Sequence, residues 1–203
     1  VMLQITTARQ LPSWRDDITM WQYCLRVEPD SAIMRAALAH ALARKERFDE
    51  ARDSYEAAVL ADPNDVEAHK YLALFLCECP DESFRDYERA TELASRAAEM
   101  RDDPTTAMVL IKAYANSGDS EQAIATAKRL GAVVQVFDVR PVVKEQVESL
   151  GAEFIDLDVV QEQAEDVGGY AKEQSAQSHQ KEVELIGQHV KAADIVITTA
   201  RIP

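Results

Sequence analysis

The sequence predicts an α-rich chain in two parts, a helical-repeat solenoid followed by an incomplete α/β segment that lacks its first strand and its glycine loop. Three observations predict it. Between residues 32 and 63 small and aromatic side chains recur at helical spacing, and the pattern begins again downstream. After Leu130-Gly131 the apolar residues switch to short β-branched runs, the pattern of buried parallel strands. Residues 105–116 read as helix at the place where an α/β unit of this kind needs a central strand.

Taken in order, Trp21, Leu25 and Val27-Glu28-Pro29-Asp30 mark the second helix of a first unit and its turn. In the next unit Leu38, Ala39 and Leu42 mark one helix, and Phe48, Ala51, Tyr55 and Ala58 mark its partner, which ends at Ala61-Asp62-Pro63-Asn64. A further hairpin starts with Leu72, Ala73 and Leu76 and resumes with Ala90 and Ala97, stretched by about five residues at Cys79-Pro80-Asp81-Glu82-Ser83. Arg101-Asp102-Asp103-Pro104 closes it. The last unit has Leu110, Ile111 and Tyr114, a turn at Asn116-Ser117-Gly118-Asp119, then Ala123, Ile124 and Ala127.

Residues 14–130 resemble tetratricopeptide repeats. Counted from Ala32, the small positions of that pattern fall on Ala39, Ala51 and Ala58, the aromatic ones on Phe48 and Tyr55, and its proline on Pro63. Arg35 stands where the pattern has Trp, and Ala39 where it has Gly. The resemblance implies a stack of hairpins whose first helices line a groove for a peptide or partner protein. Candidate groove residues are Arg35, His69, Lys70 and Lys112; by residue type alone they read equally as solvated helix positions.

In the second part Ala132 to Phe137 predicts a strand, Val142 to Leu150 a helix bracketed by Pro141 and Gly151, and Ala152 to Leu157 a second strand. A polar loop with Gly168-Gly169, a helix over about Lys172 to Lys191 and a strand over Asp194 to Thr199 complete it. From Gln122 to Pro203 the residues resemble the Rossmann-like nucleotide-binding domain of the alanine dehydrogenase and NAD(P) transhydrogenase alpha family. The carriers are AIATAKRLGAVVQVFDVRPVVKEQVESLGAEFIDLD, GGYAKE and DIVITTARIP, in that order. The likeness is closest to the transhydrogenase side.

That resemblance implies NAD as cofactor and other transhydrogenase components as partners, with a hydride passed to NADP on another component and coupled to proton movement. It implies that Asp138 accepts bonds from the adenosine ribose hydroxyls and that Arg140 lies along the same edge. Gly169 and Tyr170 match the family's closing loop, and Thr199 and Ala200 the strand end that lines its cleft. Read without the resemblance, Asp138 is a strand-end turn residue, Arg140 a charge at a helix entry and Gly168-Gly169-Tyr170 a loop. The family's three loop glycines fall on Ala115, Ser117 and Ser120, so the phosphate loop is absent and hydride transfer by this chain alone is not expected. The division is residues 1–121 for the repeats and 122–203 for the nucleotide-binding segment, with a helix over 121–130 that both could use.

Composition narrows the function further. The 203 residues are 47% hydrophobic and carry a formal charge of -14, which opposes binding to a polyanion. Nucleic acid is not expected as a partner, no apolar run approaches the roughly 20 residues of a membrane span, and the N-terminus shows no leader pattern. A cytoplasmic location is expected. Cys24, Cys77 and Cys79 have neither zinc nor redox spacing and read as packed thiols, and His40, His69, His179 and His189 have no second ligand at helical spacing. Beginning at Val1-Met2 and ending at Ile202-Pro203, the sequence reads as a piece of something longer. Three readings follow: a nucleotide-binding fragment fused to repeats, an interaction module with a vestigial second half, or a chimera, natural or engineered, without function.

Overall fold

The computed structural model describes residues 16–138, 142–155 and 176–198. The chain divides into two compact units between Leu130 and Gly131. The first consists of helices α1 (Asp17–Val27), α2 (Ala32–Ala43), α3 (Phe48–Ala61), α4 (Val66–Glu78), α5 (Tyr87–Met100), α6 (Pro104–Ser117) and α7 (Ser120–Arg129). Their starts are set by side-chain caps. Asp16, Asp65, Asp86, Asp103 and Asp119 accept from Thr19 N, Glu67 N, Arg89 N, Thr106 N and Gln122 N at 2.8–3.1 Å, satisfying donors that a helix cannot satisfy itself. Part of the chain's acidity is thus spent at helix starts. Only α3 lacks such a cap among these seven; the chain enters it through Glu46, whose φ of 59° turns the backbone left-handed.

Packing follows the small-residue pattern. Ala39, Ala51 and Ala58 have no exposed surface, and neither have Ala73, Ala90 and Ala97, which take the same places in the next hairpin. A methyl group at each crossing lets paired helices approach closely, so any larger side chain there would force them apart. Leu38, Leu42, Tyr55, Leu72, Phe75, Leu76, Leu93, Val109 and Leu110 join most of these alanines in one core that runs through the stack. The first helices, α2, α4 and α6, touch their neighbours in turn, which produces the continuous face expected of a repeat array.

The stretched turn does more than lengthen a loop. Its 3₁₀ segment Glu82–Phe84 carries the Phe84 ring to 5.7 Å from Phe48 and 6.3 Å from Phe75, with the Arg52 guanidinium 5.3 Å above it. Asp86 N returns the chain to Leu76 O at 3.1 Å. Cys77 and Cys79 are buried free thiols and Cys24 is half-buried. Burial pushes the Cys77 thiol up to about 12, far from the thiolate a redox or metal role requires.

The second unit holds β1 (Gln135–Val136), α8 (Val142–Ser149), β2 (Glu153–Phe154) and α9 (Ala176–Ala192). The strands pair in parallel, Gln135 opposite Glu153 and Val136 opposite Phe154. Helix α8 ends where Gly151, at φ 75°, turns back so that Ala152 N reaches Val147 O at 3.2 Å. Val147 and Ala152 are buried together beside the strand pair. Two expectations are corrected. The strand expected over 132–137 is ordered into a ladder only at 135 and 136, and residues 194–198 join no strand, leaving Ile195 and Val196 half-exposed. A β-branched run becomes a strand only when another edge pairs with it, and residues 104–117, where the missing neighbour would be, are helix.

Candidate functional site

The predicted groove residues are distributed over α2, α4 and α6 and are tied into the array. The Arg35 guanidinium donates to Pro29 O at 2.7 Å, bracing the turn after α1. His69 is buried, its Nδ1 2.9 Å from Asp65 O one turn earlier. The Lys70 side chain is only 10% exposed, and its ammonium lies 3.1 Å from both Glu67 Oε2 and Thr105 Oγ1. Lys112 reaches back to Glu78 Oε1 at 2.6 Å. Of the four, Arg35 and Lys112 are half-buried, while His69 and Lys70 present little surface to an incoming partner.

Lys70 belongs to a network that joins the starts of α4 and α6 to the end of α5. Arg101 pairs with both Glu67 and Asp103. Asp103 accepts from the Thr105 and Thr106 hydroxyls at 2.7 Å each and from Thr106 N at 2.8 Å. Those bonds, the Thr105 hydroxyl first, hold the Asp103 carboxyl far below the usual range, and Arg101 foremost lowers Glu67. Both carboxylates are depressed on folding, so their stabilisation is complete above the ordinary values of 3.8 and 4.5 and is lost as pH falls below them. Asp103→Asn keeps a competent cap without the charge. The urea midpoint of the wild-type chain, followed by helical circular dichroism, is therefore expected to fall more steeply between about pH 5 and pH 2 than that of Asp103→Asn. Parallel slopes would remove Asp103 from the acid response.

In the second unit Asp138 stands two residues beyond β1 and is half-buried. Beside it a polar chain crosses the strand pair: Gln135 Nε2 donates to Glu153 Oε2 at 2.8 Å, and Gln135 Oε1 lies 3.1 Å from His189 Nδ1 of α9. Arg140, Gly169, Tyr170, Thr199 and Ala200 lie outside the described residues. Of the positions that align with the family's loop glycines, Ala115 is buried in α6, Ser117 is the last residue of α6 and Ser120 the first of α7.

Residues that sequence reasoning passed over include Asp119, which caps α7, and Asp103, the centre of the charge network. Both follow a recognisable signal, an aspartate directly before an apolar-periodic run. Phe84 had no such signal, because an aromatic inside a polar turn gives no periodicity. Among the described residues no helix is long and apolar enough to cross a membrane.

Comparison with known proteins divides the chain in a related way. Residues 32–75 match the tetratricopeptide repeat, and residues 120–203 match the C-terminal domain of the alanine dehydrogenase/PNT family. The second stretch is 54% identical over 83 residues to the first of the chains that make up NAD(P) transhydrogenase subunit alpha in Rhodospirillum rubrum, covering 40% of this chain and 22% of that protein. It is 52% identical over 82 residues to the protein of the same name from Rickettsia prowazekii, 40% of this chain and 21% of that one. For NAD(P) transhydrogenase subunit alpha of Haemophilus influenzae the identity is 47% over 81 residues, 40% of this chain and 16% of the relative. The chain spans about a fifth of the length of the first two relatives. It joins a tetratricopeptide-like part to a transhydrogenase-alpha-like part, and α7 lies both in the compact unit of the former and within the match to the latter.

Proposed function

We propose that residues 120–203 are the remnant of a transhydrogenase-alpha NAD(H)-binding domain, carried on a helical-repeat array and unable to transfer hydride by itself. The observation that carries this reading is the parallel β1–β2 pair with Asp138 just past the end of β1. In dinucleotide-binding folds an acidic side chain at such a strand end accepts the ribose hydroxyls. Arg140, Gly169, Tyr170, Thr199 and Ala200 are the further contacts this reading assigns. Other transhydrogenase components are its partners and the cytoplasm its compartment. NADH titrated into the full chain is expected to give saturable amide shifts or heat that Asp138→Ala removes. The absence of any saturable signal up to a few millimolar, a binding free energy of about 4 kcal/mol, would rule the reading out.

A second reading is favoured by the continuous face of α2, α4 and α6. On it the repeat array is a scaffold that binds a peptide or protein, with Arg35 and Lys112 at its surface and His69 and Lys70 shaping the floor. Peptides selected on the full chain should lose affinity in Lys112→Glu if this face is used. A chain that binds neither nucleotide nor peptide is the functionless chimera.

A further inference from the structure

We infer that the N-terminus of α7 accepts no pyrophosphate, so that nucleotide recognition by this chain stops at the nucleoside end. The inference deepens the reading of Asp138 and rests on it for the nucleoside half. It begins from what a dinucleotide asks of a fold. The pyrophosphate sits at the N-terminus of the helix after the first strand, where backbone N–H groups point outward and the helix dipole is positive. Helix α7 lies at the start of the family match, directly after the positions that align with the loop glycines.

At that turn the donors are already committed. Asp119 Oδ1 accepts from Gln122 N at 3.1 Å, and Asp119 O accepts from Ala123 N at 3.1 Å. Gly118 N donates to Ala115 O at 3.3 Å, and Asp119 N to Tyr114 O at 2.9 Å, closing the end of α6. Gly118, at φ 91°, serves this helix stop, and its conformation is that of a C-cap. The positive pole is therefore satisfied by the chain's own carboxylate, with Glu121 in the same first turn. An incoming pyrophosphate would meet two like charges and would have to displace the cap. Glycine-loop chemistry has been exchanged for helix-turn-helix chemistry.

A second observation, independent of the cap, points the same way. Ala123, Ile124, Thr126 and Ala127 form the buried face of α7, and that face is packed against α6. At its other end Arg129 lies 3.8 Å from Asp102 in the turn before α6. A helix that carries phosphate in a dinucleotide fold packs this same kind of apolar stripe onto a sheet. One stripe cannot do both, and here it completes the repeat core.

The test uses the full chain and two kinds of probe. Inorganic pyrophosphate titrated to about 10 mM, a concentration that detects binding of only about 3 kcal/mol, is expected to leave the amides of Ser120 to Ala123 without saturable shifts. Adenosine and ADP-ribose, compared by the shift of the Asp138 amide, are expected to bind within about threefold of each other. A real phosphate site would make ADP-ribose at least about tenfold tighter, since charge-assisted bonds to phosphate contribute more than the 1.4 kcal/mol that tenfold represents. ADP-ribose tighter by that margin, with shifts at Ser120 to Ala123, overturns the inference and leaves the ribose reading standing. If neither compound moves Asp138 and pyrophosphate moves nothing at α7, the ribose reading fails and the exclusion of phosphate stands.

Discussion

Phe75→Ala is expected to cost the repeat unit about 3–5 kcal/mol, enough to unfold a marginal array at moderate temperature. The Phe75 side chain is 8% exposed and lies where three packing surfaces meet: Tyr55 from the preceding hairpin at 5.4 Å, Phe84 from the stretched turn at 6.3 Å, and the alanine crossings of α4. Its removal leaves a cavity bounded by rings that are themselves held by neighbours, so little collapse can fill it. Burial of Tyr55, whose hydroxyl is pushed up to about 12, shows how dry that region is. Phe84→Ala at the rim of the same cluster removes a half-buried ring and should cost about 1–2 kcal/mol. Urea unfolding at 222 nm ranks the two. A larger loss in Phe84→Ala would mean that the turn, and not the helix pair, organises this core.

How much of this could be read from residues depends on what each residue needs around it. The alanine crossings were legible because a position that tolerates only a methyl group repeats with the hairpin, and all six proposed alanines are fully buried. The turns were legible from Asp, Asn, Pro and Gly, and five of the capping residues turn out to be aspartates. Burial of His69 and Lys70 was not. Helical spacing places them on α4, but whether a polar side chain is covered depends on partners such as Asp65 O, Glu67 and, from another helix, Thr105. The second unit marks the opposite limit. Residues 194–198 have the composition of a strand, yet composition cannot supply the neighbour that would pair with them. Asp138 could be placed after a strand from sequence, and the structure puts it there; what it binds is a matter of chemistry that only the titration addresses.

The charge network yields an asymmetry that separates a stabilising ion pair from a merely satisfied one. Lys70 is almost fully covered, 10% exposed, while the Glu67 side chain that neutralises it is 40% exposed. Removing Glu67 leaves a buried ammonium with Thr105 as its remaining named partner and takes a carboxylate away from Arg101. An orphaned buried charge is costly, but Glu67 is open enough that water takes over part of its role, so Glu67→Ala should lose about 1–2 kcal/mol, short of the roughly 3–5 of a deeply buried pair. Lys70→Met removes the buried charge together with its desolvation and keeps the aliphatic stem against the helix. Glu67 then retains Arg101, and the change in stability should stay within about 0.5 kcal/mol. The double variant should lose less than Glu67→Ala, because no ammonium remains to be orphaned. If Lys70→Met proves the more damaging of the two, the lysine stabilises the array through its charge, and the coupling between α4 and α6 is electrostatic at its origin.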